Sequence, residues 1–249
     1  EWTERTPDKP RFVAGSIGPT TKQTAISTNV DDPAHRDTTF EEMRSSYRMQ
    51  VESLVNAGVD ILLPETAIDT LNLKACLFAI QDFFSSGGKR IPVMVSGTFD
   101  QGGRTFVSGQ SVEAFVTSLS HFPMLSIGMN CALGPDVMRS HIEEMSQSTS
   151  IPISCHPNAG LPNDMGEFDL GPKAMADIVG EYADNGWVNI LGGCCGTTPD
   201  HIREIADRVA EHQPREKSEP ETALRLSGLD PFVADDAKGF INVGERTNV

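Results

Sequence analysis

Apolar residues in this chain fall into six short continuous runs: "RFVAGSIGP" (11–19), "VDILLPE" (59–65), "IPVMVSGTF" (91–99), "MLSIGMNC" (124–131), "IPISCHPN" (151–158) and "WVNILGGCC" (187–195). Each is rich in Val, Ile or Leu, the pattern of a strand buried on both faces. Amphipathic stretches at 39–57, 68–85, 111–121, 135–147, 172–185 and 199–212 separate the runs and read as helices. Start signals support them, as where Thr198 stands as an N-cap, Pro199 at the first helical position and Asp200 in the first turn. Six consecutive strand-helix units predict a parallel sheet wound one way. The polar residues suited to chemistry sit just after the strands, so the pattern predicts an α/β fold of the (β/α)8, TIM-barrel type with its site at the C-terminal face. A doubly wound open sheet also accommodates six strands and is the alternative.

Six units are two fewer than eight, and the first run follows Glu1 closely, so the expectation is a barrel over 1–212 that lacks its first strands in this chain. Beyond 212 the pattern stops. Residues 213–239, "QPREKSEPETALRLSGLDPFVADDAKG", read as a polar, Pro-bearing linker with a short hydrophobic anchor at Leu224 and Leu226. At 240–249 "FINVGERTNV" begins a new apolar run, as the first strand of a further domain would.

Charge narrows the range of partners. Twenty Lys and Arg against 35 Asp and Glu give a formal net charge of -15, which repels a polyanion and argues against nucleic acid. The polar, acidic "EWTERTPDKP" is unlike a signal peptide, and no apolar run approaches membrane-spanning length, so the expectation is a cytoplasmic protein with no membrane partner. Five cysteines are too few for a disulfide scaffold in 249 residues, and in a reducing compartment they are thiols available as ligands or nucleophiles.

Two of those thiols, Cys194 and Cys195, stand side by side in "NILGGCCGTTPDHI". Successive strand residues face opposite sides, so both sulfurs can meet at one point only if the backbone leaves strand geometry, which Gly192, Gly193 and Gly196 permit. A disulfide between sequence neighbours needs a strained ring, and convergence on a metal avoids it. Cys131, in "GMNCALGP", ends the fourth run as the pair ends the sixth, and alternate barrel strands supply side chains to one layer. Three thiolates favour Zn²⁺, and three protein ligands with an open fourth position suit a reactive site. At this point a structural zinc and a thiol redox pair remain open beside the reactive metal. Cys76, inside "LNLKACLFAI", reads as a small buried hydrophobe, and Cys155, beside His156, as packing.

"GMNCALGP" and "NILGGCCGTTPDHI", with "FVAGSIGPT", "ILLPET" and "HPNAGLPN", resemble the homocysteine-binding barrel of the cobalamin-dependent methionine synthases, within the wider family of zinc homocysteine S-methyltransferases. The resemblance covers roughly residues 11–212. It implies that Cys131, Cys194 and Cys195 bind a catalytic zinc and that L-homocysteine is methylated to methionine. Glu65, at the end of "LLPE", is expected to accept hydrogen bonds from the substrate ammonium group, against the reading of a solvated carboxylate. Other members of the family take the methyl group from betaine or S-methylmethionine, and these donors are the alternative. "FINVGERTNV" resembles the opening of a pterin-binding domain, with Gly244, Glu245, Arg246 and Asn248 matching and Glu245 and Asn248 expected to help bind methyltetrahydrofolate. On this resemblance the cobalamin-binding and folate-binding domains belong to the same polypeptide. The glycine-rich opening strand of the family is not found here.

Further candidates surround the strand ends. Asn130 precedes a ligand and is placed either to orient the substrate or contact the metal before substrate arrives, or to form the turn. Ser16 and Gly18, with Gly15 and Pro19, follow the first strand, where the backbone can approach a small ligand; the pattern is not a phosphate-binding loop. The segment "HPNAGLPNDMGEF" reads as a substrate wall or lid. His35, His141, His201 and His212 are expected to face solvent, and no Ser-His-Asp arrangement is evident.

Overall fold

A computed structural model describes residues 2–216 and 223–241. A short helix that the hydrophobic pattern does not announce, α1 (Trp2–Arg5), precedes six strand-helix units. These are β1 (Ala14–Ile17) with α2 (Phe40–Asn56), β2 (Ile61–Pro64) with α3 (Thr70–Ser85), and β3 (Met94–Gly97) with α4 (Val112–Leu119). They continue with β4 (Ser126–Asn130) and α5 (Pro135–Ser148), β5 (Ile153–His156) and α6 (Pro172–Asp184), and β6 (Ile190–Leu191) and α7 (Pro199–Val209). The helices begin where local chemistry satisfies their free N–H groups. At α2 the Thr39 hydroxyl accepts from Glu42 N–H at 3.2 Å while the Glu42 carboxylate accepts from Thr39 N–H at 2.9 Å. Met43, Tyr47, Val51 and Val55 then recur every fourth residue and bury one stripe of that helix.

The strands are parallel and adjacent in chain order. β1 pairs with β2, and β3, β4, β5 and β6 pair in succession. A bridge between Leu62 and Val93 and the Leu62 N–H to Pro92 C=O bond at 3.0 Å join the two groups. Each helix from α2 to α7 also packs against the next. Sequential helices can touch throughout only if they share one side of the sheet, whereas a doubly wound sheet reverses its order at a switch point. No reversal occurs among the described strands. β3 and β4 are buried on both faces, β1 and β2 alternate, and β6 is half-buried. The core runs through Leu62, Val95, Ile127 and Ile153 toward Phe99 and Phe115, whose rings meet edge to face at 5.3 Å.

The segment read as a linker is more ordered than its polarity suggests. Arg215 is buried, with its guanidinium on the carbonyls of Ser146 and Thr149 and its N–H on Val188 C=O. Further on, β7 (Leu224–Ser227) and β8 (Pro231–Ala234) form an antiparallel hairpin beside α4. The expected anchor residues Leu224 and Leu226 are 62% and 49% exposed, and polar groups hold the hairpin instead. Gln110 donates to Gly228 C=O at 2.9 Å, Ser227 Oγ to Ala114 C=O at 2.7 Å, and Arg104 pairs with Asp230 at 2.7 Å. Residues 242–249 lie outside the described residues, and with them Gly244, Glu245, Arg246 and Asn248.

Two of the four histidines expected in solvent are buried. His201 sits at the third position of α7, where its Nδ1 accepts from Thr198 N–H at 3.1 Å and its Nε2 meets Leu170 C=O at 2.8 Å. His141 reaches Gln101 C=O at 3.2 Å. Partners on both sides make burial of these rings acceptable. His212 is part-buried against Asp184, and His35 is exposed.

Candidate metal centre and substrate cleft

Cys131, Cys194 and Cys195 meet at the C-terminal ends of β4 and β6. The sulfurs of Cys131 and Cys195 lie 3.7 Å apart and those of Cys194 and Cys195 3.9 Å, and all three fall within 4.8 Å of one another. No disulfide links them. Four ligands at about 2.3 Å around a tetrahedral zinc stand about 3.8 Å from each other, so the sulfur separations fit three corners of such a site. Backbone distortion makes the meeting possible. Cys131 and Ala132 have φ of 64° and 61°, a left-handed conformation that side chains rarely adopt and that tends to mark functional sites. On the other loop Gly196 has φ 78°, and a Cβ there would come 2.4 Å from Cβ of Phe168.

Two of the three thiols, Cys194 and Cys195, are weakened as acids. Loss of solvation, with the neighbouring Cys131 and Cys195 sulfurs adding repulsion, pushes Cys194 up to about 12. Burial and Cys131 likewise raise Cys195. A divalent cation among the sulfurs reverses that balance by stabilising the thiolates.

Asn130 links this cluster to a carboxylate. Its Nδ2 donates to Thr66 Oγ1 at 2.8 Å, lies 3.4 Å from Glu65 Oε2 and 4.0 Å from Cys194 Sγ, while its Oδ1 accepts from Thr66 N–H at 2.9 Å. Thr98 fixes the backbone by donating to Asn130 C=O at 2.8 Å. Thr66 has φ 58°, a third non-glycine residue held left-handed at this mouth. Ser16 Oγ donates to Glu65 Oε1, and Gly18 lines a small cavity with Glu65, Tyr47, Asp69 and Asn72. The structure thus links Ser16, Glu65 and Asn130 in a row of contacts that ends at Cys194, while Gly18 shares the small cavity with Glu65. Sequence reasoning passed over Thr66, Thr98 and His156. Burial lowers the proton affinity of His156, with Glu65 opposing, and a Cβ on Gly192 would strike its ring at 2.6 Å. The place of each at a strand end was the available signal.

The homocysteine S-methyltransferase family model matches residues 1–209, and the chain belongs to that family. Among solved structures, the apo form of the homocysteine methyltransferase MmuM from Escherichia coli superposes with a TM-score of 0.63 at 22% identity, over 83% of this chain and 66% of that one. Its metallated form gives 0.65 at 22% identity, over 83% and 65%. The chain therefore spans just under two thirds of the length of those structures, and the likeness is one of fold. No described helix is long and apolar enough to cross a membrane.

Proposed function

We propose that this chain binds L-homocysteine at a zinc centre formed by Cys131, Cys194 and Cys195 and presents its sulfur for methylation to methionine. The observation that carries the reading is the convergence of three sulfurs from two distant loops at tetrahedral spacing. When bound, zinc supplies a soft, electron-rich acid that keeps a substrate thiol ionised near neutral pH while leaving it nucleophilic. The protein's part is orientation. Glu65 accepts from the substrate ammonium group, Ser16 and Asn130 hold that carboxylate, and Thr66 and Thr98 fix Asn130. Asn130 then sets ammonium and sulfur on opposite sides of one amide, a separation suited to the four-bond span of homocysteine. Gly18 leaves the backbone open at the same mouth.

The methyl donor in this reading is methylcobalamin, carried with methyltetrahydrofolate by other domains of the same polypeptide. It is supported by the resemblance of 240–249 to the start of a folate-binding domain, where Glu245 and Asn248 would act, after a barrel at 1–212 and a connecting segment at 213–239. The six parallel units in unbroken order support a (β/α)8 barrel. A reducing, cytoplasmic location follows from the need for free thiols. A redox pair formed by Cys194 and Cys195 has no use for Cys131, yet Cys131 lies nearer Cys195 than Cys194 does.

The test is proton release. Free homocysteine thiol is protonated at neutral pH, so binding as thiolate releases close to one proton. Calorimetry in two buffers of different ionisation heat, with zinc-loaded and zinc-free protein compared, measures it. Binding with no proton release, or equal binding without metal, overturns the mechanism.

A further inference from the structure

One buried side chain stands between the β7–β8 hairpin and the turn that carries Glu65. Gln110 lies in the loop between β3 and α4, is 8% exposed and spends its whole amide. Its Nε2 donates to Gly228 C=O at 2.9 Å and to Ser227 Oγ at 3.2 Å, both in the hairpin. Its Oε1 accepts from Thr70 Oγ1 and, at 3.4 Å, from Ser108 Oγ. Thr70 opens α3, five residues after Glu65. The same loop grips both neighbours through its backbone. Val107 and Ser108 N–H donate to Ile68 C=O at 2.9 and 3.3 Å, and Ser111 N–H donates to Leu229 C=O at 2.9 Å.

We propose that Gln110 is a positioning residue that makes homocysteine binding at Glu65 depend on the docked hairpin, and hairpin docking depend on homocysteine. The proposal rests on the substrate reading above. Its physical basis is the left-handed Thr66, at φ 58°, which links Glu65 to α3. A β-branched residue keeps that conformation only when its surroundings fix it from both ends. Asn130 holds Thr66 itself, and the loop of Gln110 holds the chain beyond it at Ile68 and Thr70. Undocking the hairpin strips both acceptors from Gln110 Nε2. A buried amide donor is costly to leave unpaired, so the side chain has to turn toward water and release Thr70. The Glu65 turn then loses one of its two supports. By linkage, a ligand that needs the turn in place must favour the docked hairpin by the same factor.

Hydrogen exchange of the zinc-loaded full chain, followed by mass spectrometry over residues 223–234, reads this coupling. In wild type, saturating homocysteine should slow exchange there by roughly fivefold or more. Gln110→Met keeps the length of the side chain and removes its amide, so exchange should be the same with and without homocysteine. Calorimetry should show homocysteine affinity reduced by the same factor in Gln110→Met, with zinc content unchanged. Ser227→Ala, which contacts Gln110 and Ala114 and no residue of the cleft, should also weaken homocysteine binding. Where Gln110→Met does not fold, Ser227→Ala carries the test alone. Homocysteine that binds wild type but leaves hairpin exchange unchanged, or that still slows it in Gln110→Met, overturns the proposal and spares the substrate reading. Zinc-loaded wild type that binds no homocysteine overturns both.

Discussion

Cys76 and Cys155 carry the same side chain as the clustered cysteines and live in the opposite surroundings. They are 1% and 0% exposed, Cys76 within α3 and Cys155 within β5, where its sulfur meets Met138 Sδ at 3.9 Å. Burial alone raises both thiols far above their usual range, which leaves two small neutral hydrophobes. Cys194 is also a weakened acid, but two other sulfurs share the cause and a cation can remove it. The difference lies in the backbone. Regular helix and strand separate side chains, whereas left-handed turns after β4 and β6 gather them.

The largest test of that contrast is Cys194→Ser. Structural zinc sites release roughly 10–16 kcal/mol over their ligands, so losing one thiolate should weaken binding on the order of a thousand-fold. Metal analysis should fall from close to one zinc per chain to almost none, and unchanged zinc would return all five cysteines to one class. Raising the pH should come next in effect. Cys194, pushed up to about 12, and Cys195, also raised, are protonated at neutrality and must lose protons to bind metal. Apparent Zn²⁺ affinity should therefore climb with pH above neutrality, approaching tenfold per unit for each thiol still protonated; a flat profile contradicts a thiolate site.

Glu65→Gln sharpens the comparison on the substrate side. It should weaken homocysteine binding by about ten- to a hundred-fold, the loss of one charge-assisted hydrogen bond, and leave zinc content alone. Calorimetry showing equal affinity would make Glu65 a solvated carboxylate. The smallest effect belongs to Cys76→Ala, which should leave zinc unchanged and destabilise the fold by about 1–2 kcal/mol in denaturant titration. A marked zinc loss there would mean that the wrong sulfurs have been chosen.

β3, β4 and β5 were legible because burial on both faces leaves unbroken apolar runs, and α7 because Thr198 stands as its cap. The cysteine set was legible from strand-end position and glycine content. Other features carry no such mark. His201 stands where a capping box has Glu or Gln, so its burial depends on a backbone carbonyl 31 residues away. The hairpin after residue 223 is held by Gln110, Arg104 and Ser227, polar residues whose pairing no hydrophobic pattern records. Thr66, Cys131 and Ala132 adopt a conformation for which their identities give no signal.

The order of the strands has a further consequence for the life of the chain. Cys131 emerges in synthesis well before the sixth strand-helix unit exists, and no local structure can hold three sulfurs together until β6 has paired with β5. On the proposed metal centre, metallation therefore follows the pairing of β6 with β5. A metal ion offered early meets isolated thiols on a partly folded chain, and one offered late meets a finished receptor. Zinc present during refolding should accordingly leave the rate of the early phases unchanged and act on the last one, by trapping the docked β6 loop against reopening.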